Sequence, residues 1–360
     1  MRRIGAFLVP VMALFAAGIA PAQAEPQMLG VIQTASAVPL HCTGANCTAE
    51  LTSICLHEER ATPNPAVQLA AWARETRNIR LGPAISLTPL RNPLHIAEDY
   101  AVVDQLSGGR LNFGVGRGYL PHEFDGHNLD PDAVSAMREE GFGIIRRAWS
   151  GETFAHDGKH YSFPKLRLHP LPKQAEVPIW AASSRTRDSF DWAAKNGFNI
   201  MMNQYPMTPE EARERFGWYL EGWKAVGHAE GTHEAMMSVF LHIADTEEQA
   251  IAEATRAVQE HANLFRLLFS GDQWNEDYAG DESVFEFLAP DGDLTRLFRE
   301  RTCIGTAEQV IERIARYRDW GFTEMSFITR TGELSQELAL DTMRRFNDEV
   351  APAFREKAAA

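Results

Sequence analysis

The sequence predicts a parallel α/β fold, and three observations predict it. From about residue 62, short apolar stretches of strand length alternate with longer amphipathic ones of helix length. Gly, Asn and Pro punctuate the junctions, where helices start and stop. One stretch, residues 106–119 (LSGGRLNFGVGRGY), holds a helix stop, a buried strand and a polar turn in direct succession.

The elements follow in order. Residues 28–34 and 51–56 each read as a strand, with Pro39, Gly44 and Asn46 between them and no amphipathic helix. A strand–helix–strand unit needs about 30 residues, and that room is missing. Residues 65–77 carry Val67, Leu69 and Trp72 on a helical stripe. Residues 79–87 are a strand and 88–92 its loop. Asn92 then caps a helix with Pro93 at its first position, and Ile96, Tyr100 and Val103 line one face. Strand 111–115 follows. Residues 119–132 read as a long polar loop, and Met137, Phe142, Ile145 and Trp149 mark a helix ending at Gly151. Residues 153–178 are irregular and proline-rich. Strand 177–184 feeds helix 185–194; strand 198–202, helix 209–226 and strand 236–244 come next. Thr246, Glu247 and Glu248 open another helix. Residues 270–295 are acidic and loop-rich, 305–317 a helix, 324–329 the last strand, and a closing helix runs to about residue 354. Six strands alternate with helices from residue 62 on. Eight close a barrel, so two are missing or come from residues 28–34 and 51–56.

The chain has 360 residues, 44% hydrophobic and 23% charged, as a soluble globular protein does. Its net charge of -14 argues against a nucleic-acid or anionic-membrane partner, but leaves room for a local phosphate site. Met1-Arg-Arg, an apolar run over residues 4–20 and Ala22-Gln-Ala24 fit a secretory signal peptide cleaved after Ala24; an N-terminal anchor is the alternative. The expected organisation is therefore residues 1–24 as signal peptide, 25–61 as an atypical Cys-containing segment, and 62–360 as one domain with insertions near 119–178 and 270–300. Cys42, Cys47 and Cys55 crowd the atypical segment, while Cys303 stands alone. In an exported chain Cys42 and Cys47 could close a small disulfide loop. With His41 and His57 they match no standard zinc spacing, and no metal is expected.

Two polar elements follow strands. Gly116, Arg117, Gly118 and Tyr119 lie just past the carboxyl end of strand 111–115, where ligands sit in a parallel barrel. An arginine there offers a fixed fork of donors to a phosphate; read alone, it is equally a surface ion-pair partner. Gly114 and Gly116 lack the third glycine of a dinucleotide fingerprint. The second element is Ser183, Ser184, Arg185, Thr186 and Ser189, hydroxyls where a strand feeds a helix. Such a junction is an anion site or an ordinary cap. Ser86, Thr88 and Asn92 follow the 79–87 strand and suit turn and cap duty.

Residues 106–119, together with NPLHIAED at 92–99 and Thr62-Pro-Asn-Pro65, resemble the bacterial luciferase-like flavin monooxygenase family. The resemblance starts at about Thr62. It implies a TIM (β/α)8-type barrel, incomplete at its first two strands. It implies FMN, its phosphate on Arg117, Gly118 and Tyr119 and on Ser183, Ser184 and Thr186, with Arg185 and Ser189 beside them. Ser86, Thr88 and Asn92 become candidates to touch the flavin ring. The implied activity is monooxygenation of a small organic substrate with O2 and reduced FMN from a separate reductase; relatives use the deazaflavin F420, and many form homodimers. The family's catalytic histidine precedes the Thr-Pro-Asn-Pro stretch, and His57 is the nearest match, with His95, His122 and His127 as other candidates. A chain without its first barrel unit would be a non-catalytic flavin or ligand binder. The signal peptide implies a periplasmic or secreted protein, and the resemblance a cytoplasmic one.

Overall fold

The computed structural model describes residues 34–39, 53–56, 64–119, 121–269, 294–330 and 334–354. The expected signal peptide, His57, Cys42, Cys47 and the His122 side chain lie outside the described residues. The elements in chain order are β1 (Thr34–Pro39), β2 (Ser53–Leu56), α1 (Pro65–Glu75), β3 (Arg80–Pro83), β4 (Ser86–Leu87), α2 (Pro93–Ser107), β5 (Phe113–Gly116), α3 (Pro121–Gly126), α4 (Val134–Trp149), β6 (Phe154–Asp157), β7 (Ser162–Leu166), β8 (Ile179–Ala182), α5 (Arg187–Lys195), β9 (Asn199–Asn203), α6 (Pro209–Val226), β10 (Ala235–Ile243), α7 (Glu247–Phe269), α8 (Leu294–Arg301), β11 (Cys303–Gly305), α9 (Ala307–Trp320), β12 (Glu324–Ile328) and α10 (Gln336–Arg345).

Among the described residues these strands make a ten-stranded sheet in the order β3-β2-β1-β12-β10-β9-β8-β5-β4, with β11 paired to β10. The two ends of that path are pieces of one segment, since only Ala84 and Ile85 separate β3 from β4. Leu81 also bridges to Leu111, just ahead of β5. Pairing therefore returns to the segment from which it starts. Every pairing in the sheet is parallel except the two made by β1, which runs antiparallel to both β2 and β12. This resolves the shortage of room before residue 62. An antiparallel neighbour needs no crossover helix, so a short segment furnishes two strands.

Other expectations shift in detail. The strand expected over 79–87 is interrupted at Ala84 and Ile85, joined by a cis peptide bond. The loop expected over 119–132 contains α3, and the irregular stretch 153–178 contains the antiparallel hairpin β6–β7. Expectation missed β11, a strand of three residues, too short to show a period.

Local chemistry accounts for the stretch at 106–119. Gly108 closes α2 at φ +79°, where a side chain would be strained. Asp104 is fully buried and accepts from Leu111 N at 3.2 Å, Lys173 N at 2.7 Å, Gln174 N at 2.8 Å and Gln174 Nε2 at 2.8 Å. Arg110 donates to the carbonyls of Ser107, Ala73, Thr76 and Ile79. These two charges tie the α2–β5 turn to its surroundings, so Arg110 is a structural arginine. Beyond it, Phe113 packs edge-on to Tyr100 and Trp149, with ring centroids 4.8 and 5.2 Å away. Each such buried ring contributes about 1.5–3 kcal/mol by leaving water. β10 is buried at all nine positions, the mark of a strand covered on both faces.

Inside, the wall between β3 and β5 is almost bare. A Cβ on Gly82 would overlap Asn112 O, one on Gly114 would overlap Pro83 O, and one on Gly116 would overlap Ile85 Cδ1. At Gly82 and Gly114 only glycine lets the backbones approach so closely, whereas at Gly116 the neighbour is the tip of the Ile85 side chain.

Candidate functional site

At the carboxyl ends of the strands a cleft of about 1400 Å³, open solvent at its mouth included, is lined from β5, β8, β9, β10, β12 and the turns beyond them. Its cations are Arg117, Arg138, Arg185 and Arg215, and no carboxylate lines it among the described residues. In a chain of net charge -14, this is a local reversal of sign.

Arg117 leaves β5 just past Gly116. It makes no hydrogen bond or ion pair among the described residues. Gly118 follows at φ +84°, turning the chain with Phe124 Cε1 only 3.1 Å from where a Cβ would stand. Tyr119 is 38% exposed at the rim.

Strand β8 is the immediate neighbour of β5, with Val115 opposite Ala181. Its continuation, Ser183 and Ser184, therefore ends beside Arg117. The buried Ser183 hydroxyl donates to Ser189 O at 3.1 Å, and Ser184 O accepts from Arg215 Nη1 at 2.9 Å. These bonds fix the turn into α5. Thr186 is the N-cap of α5, yet its side chain makes no capping hydrogen bond. The helix thus presents unspent N–H groups and a spare hydroxyl at its positive end.

Arg138 completes the corner from α4. It shares the buried face of that helix with Val134, Gly141, Phe142 and Ile145. Its guanidinium stacks over the Trp192 ring at 3.9 Å, and its Nε has no hydrogen-bond partner. Burial, and then the nearby Arg117, push Arg138 down to about 10. Two neighbouring guanidiniums that repel each other, with the N-terminus of α5 lining the same cleft, have the chemistry to attract an anion.

The other expected residues stand elsewhere. Asn92 caps α2, its side chain accepting from Leu94 N at 2.9 Å. Thr88 is buried and donates to Gly116 O at 3.4 Å. Ser86 is buried beside β5, opposite Val115, with an unpaired hydroxyl. None of the three lines the cleft. Asn92 and Thr88 thus support the walls rather than face the space. His95 is exposed on α2, and His127 is exposed with Nδ1 2.9 Å from Glu123 O. Among the described residues no histidine lines the cleft.

Sequence reasoning passed over Arg138, Arg215, Asn203, Ser238 and Ser326, all of which line the cleft. A signal existed for Arg138: it is a charge at a position where the helical period of α4 demands an apolar residue. Ser238 and Ser326 likewise interrupt apolar strands, each directly after a methionine.

The luciferase-like monooxygenase family model matches residues 50–324. The chain belongs to this family, and its α/β sheet is that family's TIM-barrel fold. The oxygenase component of the flavin-dependent trigonelline monooxygenase of Acinetobacter baylyi is 30% identical over 298 residues, covering 82% of this chain and 81% of that protein. Among solved structures, the oxygenating constituent of the 3,6-diketocamphane monooxygenase of Pseudomonas putida, in complex with FMN, superimposes with a TM-score of 0.68 at 21% identity, over 84% of this chain and 88% of the other. The coenzyme F420-dependent tetrahydromethanopterin reductase of Methanopyrus kandleri gives 0.64 at 18% identity, over 84% and 90%. The last two likenesses concern the fold. The same fold thus serves an FMN-binding monooxygenase and a coenzyme F420-dependent reductase.

Proposed function

We propose that the cleft holds FMN by its phosphate and that the chain is the oxygenase component of a two-component flavin-dependent monooxygenase. The observation that carries this reading is the pair Arg117 and Arg138, close enough to repel, with no carboxylate lining the cleft. A phosphate dianion relieves that repulsion and accepts from Ser184, Thr186 and the N–H groups that open α5. Ser183 and Arg215 hold the turn in place. When bound, reduced FMN supplies the reaction with O2. The protein binds the phosphate, orients the ring and excludes water with Met201, Met236 and Met207 at the cleft wall. Reduced flavin comes from a separate reductase, in keeping with the relative named as an oxygenase component.

For proton transfer we assign His57. The family resemblance alone carries this assignment, since it puts the catalytic histidine in the stretch before Thr62-Pro-Asn-Pro65, where His57 stands. Ser86, Thr88 and Asn92 then act on the ring only through the walls they support.

The test is an FMN fluorescence titration beside Arg117→Ala, with a parallel F420 titration. The lost charged hydrogen bonds cost about 1.5–3 kcal/mol, tenfold or more in affinity. Saturable FMN binding that weakens tenfold in the variant supports the reading. Binding of F420 alone moves the chain to the deazaflavin branch, and binding of neither overturns the assignment.

A further inference from the structure

On the strands that follow β8 around the sheet, the cleft carries a second polar feature, apart from the Arg117–Arg138 pair. β9, β10 and β12 are neighbours, and their register puts Asn203 beside Ser238 and Ser238 beside Ser326. Neighbouring strands are about 4.8 Å apart, so one amide and two hydroxyls form a row across three strands. All three residues line the cleft. Ser238 and Ser326 are 6% and 2% exposed, and Ser238 Oγ has no hydrogen-bond partner. Buried hydroxyls are rarely left unpaired in a native protein.

The row is bounded by apolar layers. One pleat deeper, Met201 and Met236 stand side by side. One pleat nearer the mouth, Phe240 packs on Tyr205 with ring centroids 5.0 Å apart. Gln204, between Asn203 and Tyr205, is fully buried and donates to Met207 O at 2.8 Å, which fixes the turn above the row.

We propose that Asn203, Ser238 and Ser326 recognise the carbonyl or hydroxyl oxygen of an uncharged organic substrate whose apolar body lies against Met201 and Met236. The two serine hydroxyls donate to that oxygen, and the Asn203 amide donates from the next strand. A cation is disfavoured, because the cleft offers arginines and no carboxylate among the described residues. The inference rests on the flavin reading in one respect: the cofactor occupies the arginine corner and leaves the row to the substrate.

Saturation-transfer NMR with cyclohexanone as the neutral probe and cyclohexylamine as the cationic one tests this on the whole chain, with and without FMN. The comparison is with the double variant Ser238→Ala/Ser326→Ala. Cyclohexanone is expected to bind saturably, about tenfold more weakly in the variant, while cyclohexylamine gives no signal and FMN affinity stays within twofold. Losing an unpaired hydroxyl should not lower the melting temperature, and Ser238→Cys, which keeps the volume, gives the same loss should the double variant fail to fold. Equal ketone binding in parent and variant, no ketone binding, or preference for the amine overturns the proposal. So does a tenfold fall in FMN affinity, which would give the row to the flavin ring. Ketone binding that follows the expected pattern in a chain that does not bind FMN would sink the cofactor reading alone.

Discussion

Where β3, β10 and β12 begin, Arg80 donates through Nε to Asn112 Oδ1 at 2.7 Å and through Nη2 to Leu111 O at 2.7 Å and Gln174 Oε1 at 3.1 Å. The carboxyls of Glu234, Asp104 and Glu324 lie near enough to favour its charge. Where β5 and β8 finish, Arg117 and Arg138 lie close together and neither meets a carboxylate lining the cleft. One barrel thus holds arginines in opposite states at its two ends. The contrast teaches that a cation's bonding, not its presence, separates support from recognition. A guanidinium whose donors are spent on protein acceptors holds the fold. One whose donors face an open cleft awaits a ligand.

This contrast can be broken, most sharply at the closed end. Arg80→Ala strips three hydrogen bonds made by a charged donor. Denaturant unfolding should lose about 2–3 kcal/mol, the range for charge-assisted hydrogen bonds with buried acceptors left unpaired. FMN affinity should not change, and a variant as stable as the parent would erase the distinction.

Glu324 gives a pH signature. Burial first, and then Glu234, push its carboxyl from 4.5 up to about 8, and its Oε2 has no partner. The folded state therefore holds this proton more tightly than the unfolded chain does. Stability falls as pH rises from 4.5 towards 8, by at most about 1.4 kcal/mol per pH unit, and levels off above. Glu324→Gln removes that penalty. Its advantage over the parent should be absent below pH 4.5 and grow up to pH 8; a constant offset across melting curves at five pH values would contradict the assignment.

At the open end, the Arg117→Ala loss of tenfold or more in FMN affinity should come with almost no loss of stability. A finer comparison sets two helix caps against each other. Asn92 spends its side chain on Leu94 N, whereas Thr186 spends nothing on α5. Asn92→Ala should cost about 1 kcal/mol of stability and leave FMN affinity alone. Thr186→Ala should leave the melting temperature unchanged and weaken FMN binding by about 1 kcal/mol. Equal effects of the two on stability would mean that the open cap is no ligand site.

Much of the fold is legible from residues 62 onwards, because period, caps and glycine stops agree there. Asn92 and Pro93 mark the start of α2, and Gly108 marks its end. The antiparallel β1 is not legible, since a strand's own sequence does not state the direction of its neighbours. Of the site, the parts adjacent in sequence can be read: Gly116, Arg117 and Gly118, and the hydroxyls from Ser183 to Thr186. Arg138, Asn203, Ser238 and Ser326 come from four separate elements, and only the register of the sheet and the packing of α4 on α5 bring them to one cleft. Asn92 and Thr88 read as ring contacts by resemblance, but their hydrogen bonds go to the protein.

The bare wall between β3 and β5 has a consequence for anyone who would reshape this protein. Gly82 and Gly114 would drive a Cβ into the backbone oxygens of Asn112 and Pro83, so a library that varies them samples mostly destabilised variants, whereas at Gly116 only the tip of the Ile85 side chain must move. New shapes and selectivities are more readily cut from β9, β10 and β12, where Met201, Asn203, Met236, Ser238 and Ser326 line the cleft with their side chains. Chemical diversification of this barrel is therefore lopsided: the side chains of β9, β10 and β12 can be exchanged, whereas at Gly82 and Gly114 backbone already fills the space a side chain would need.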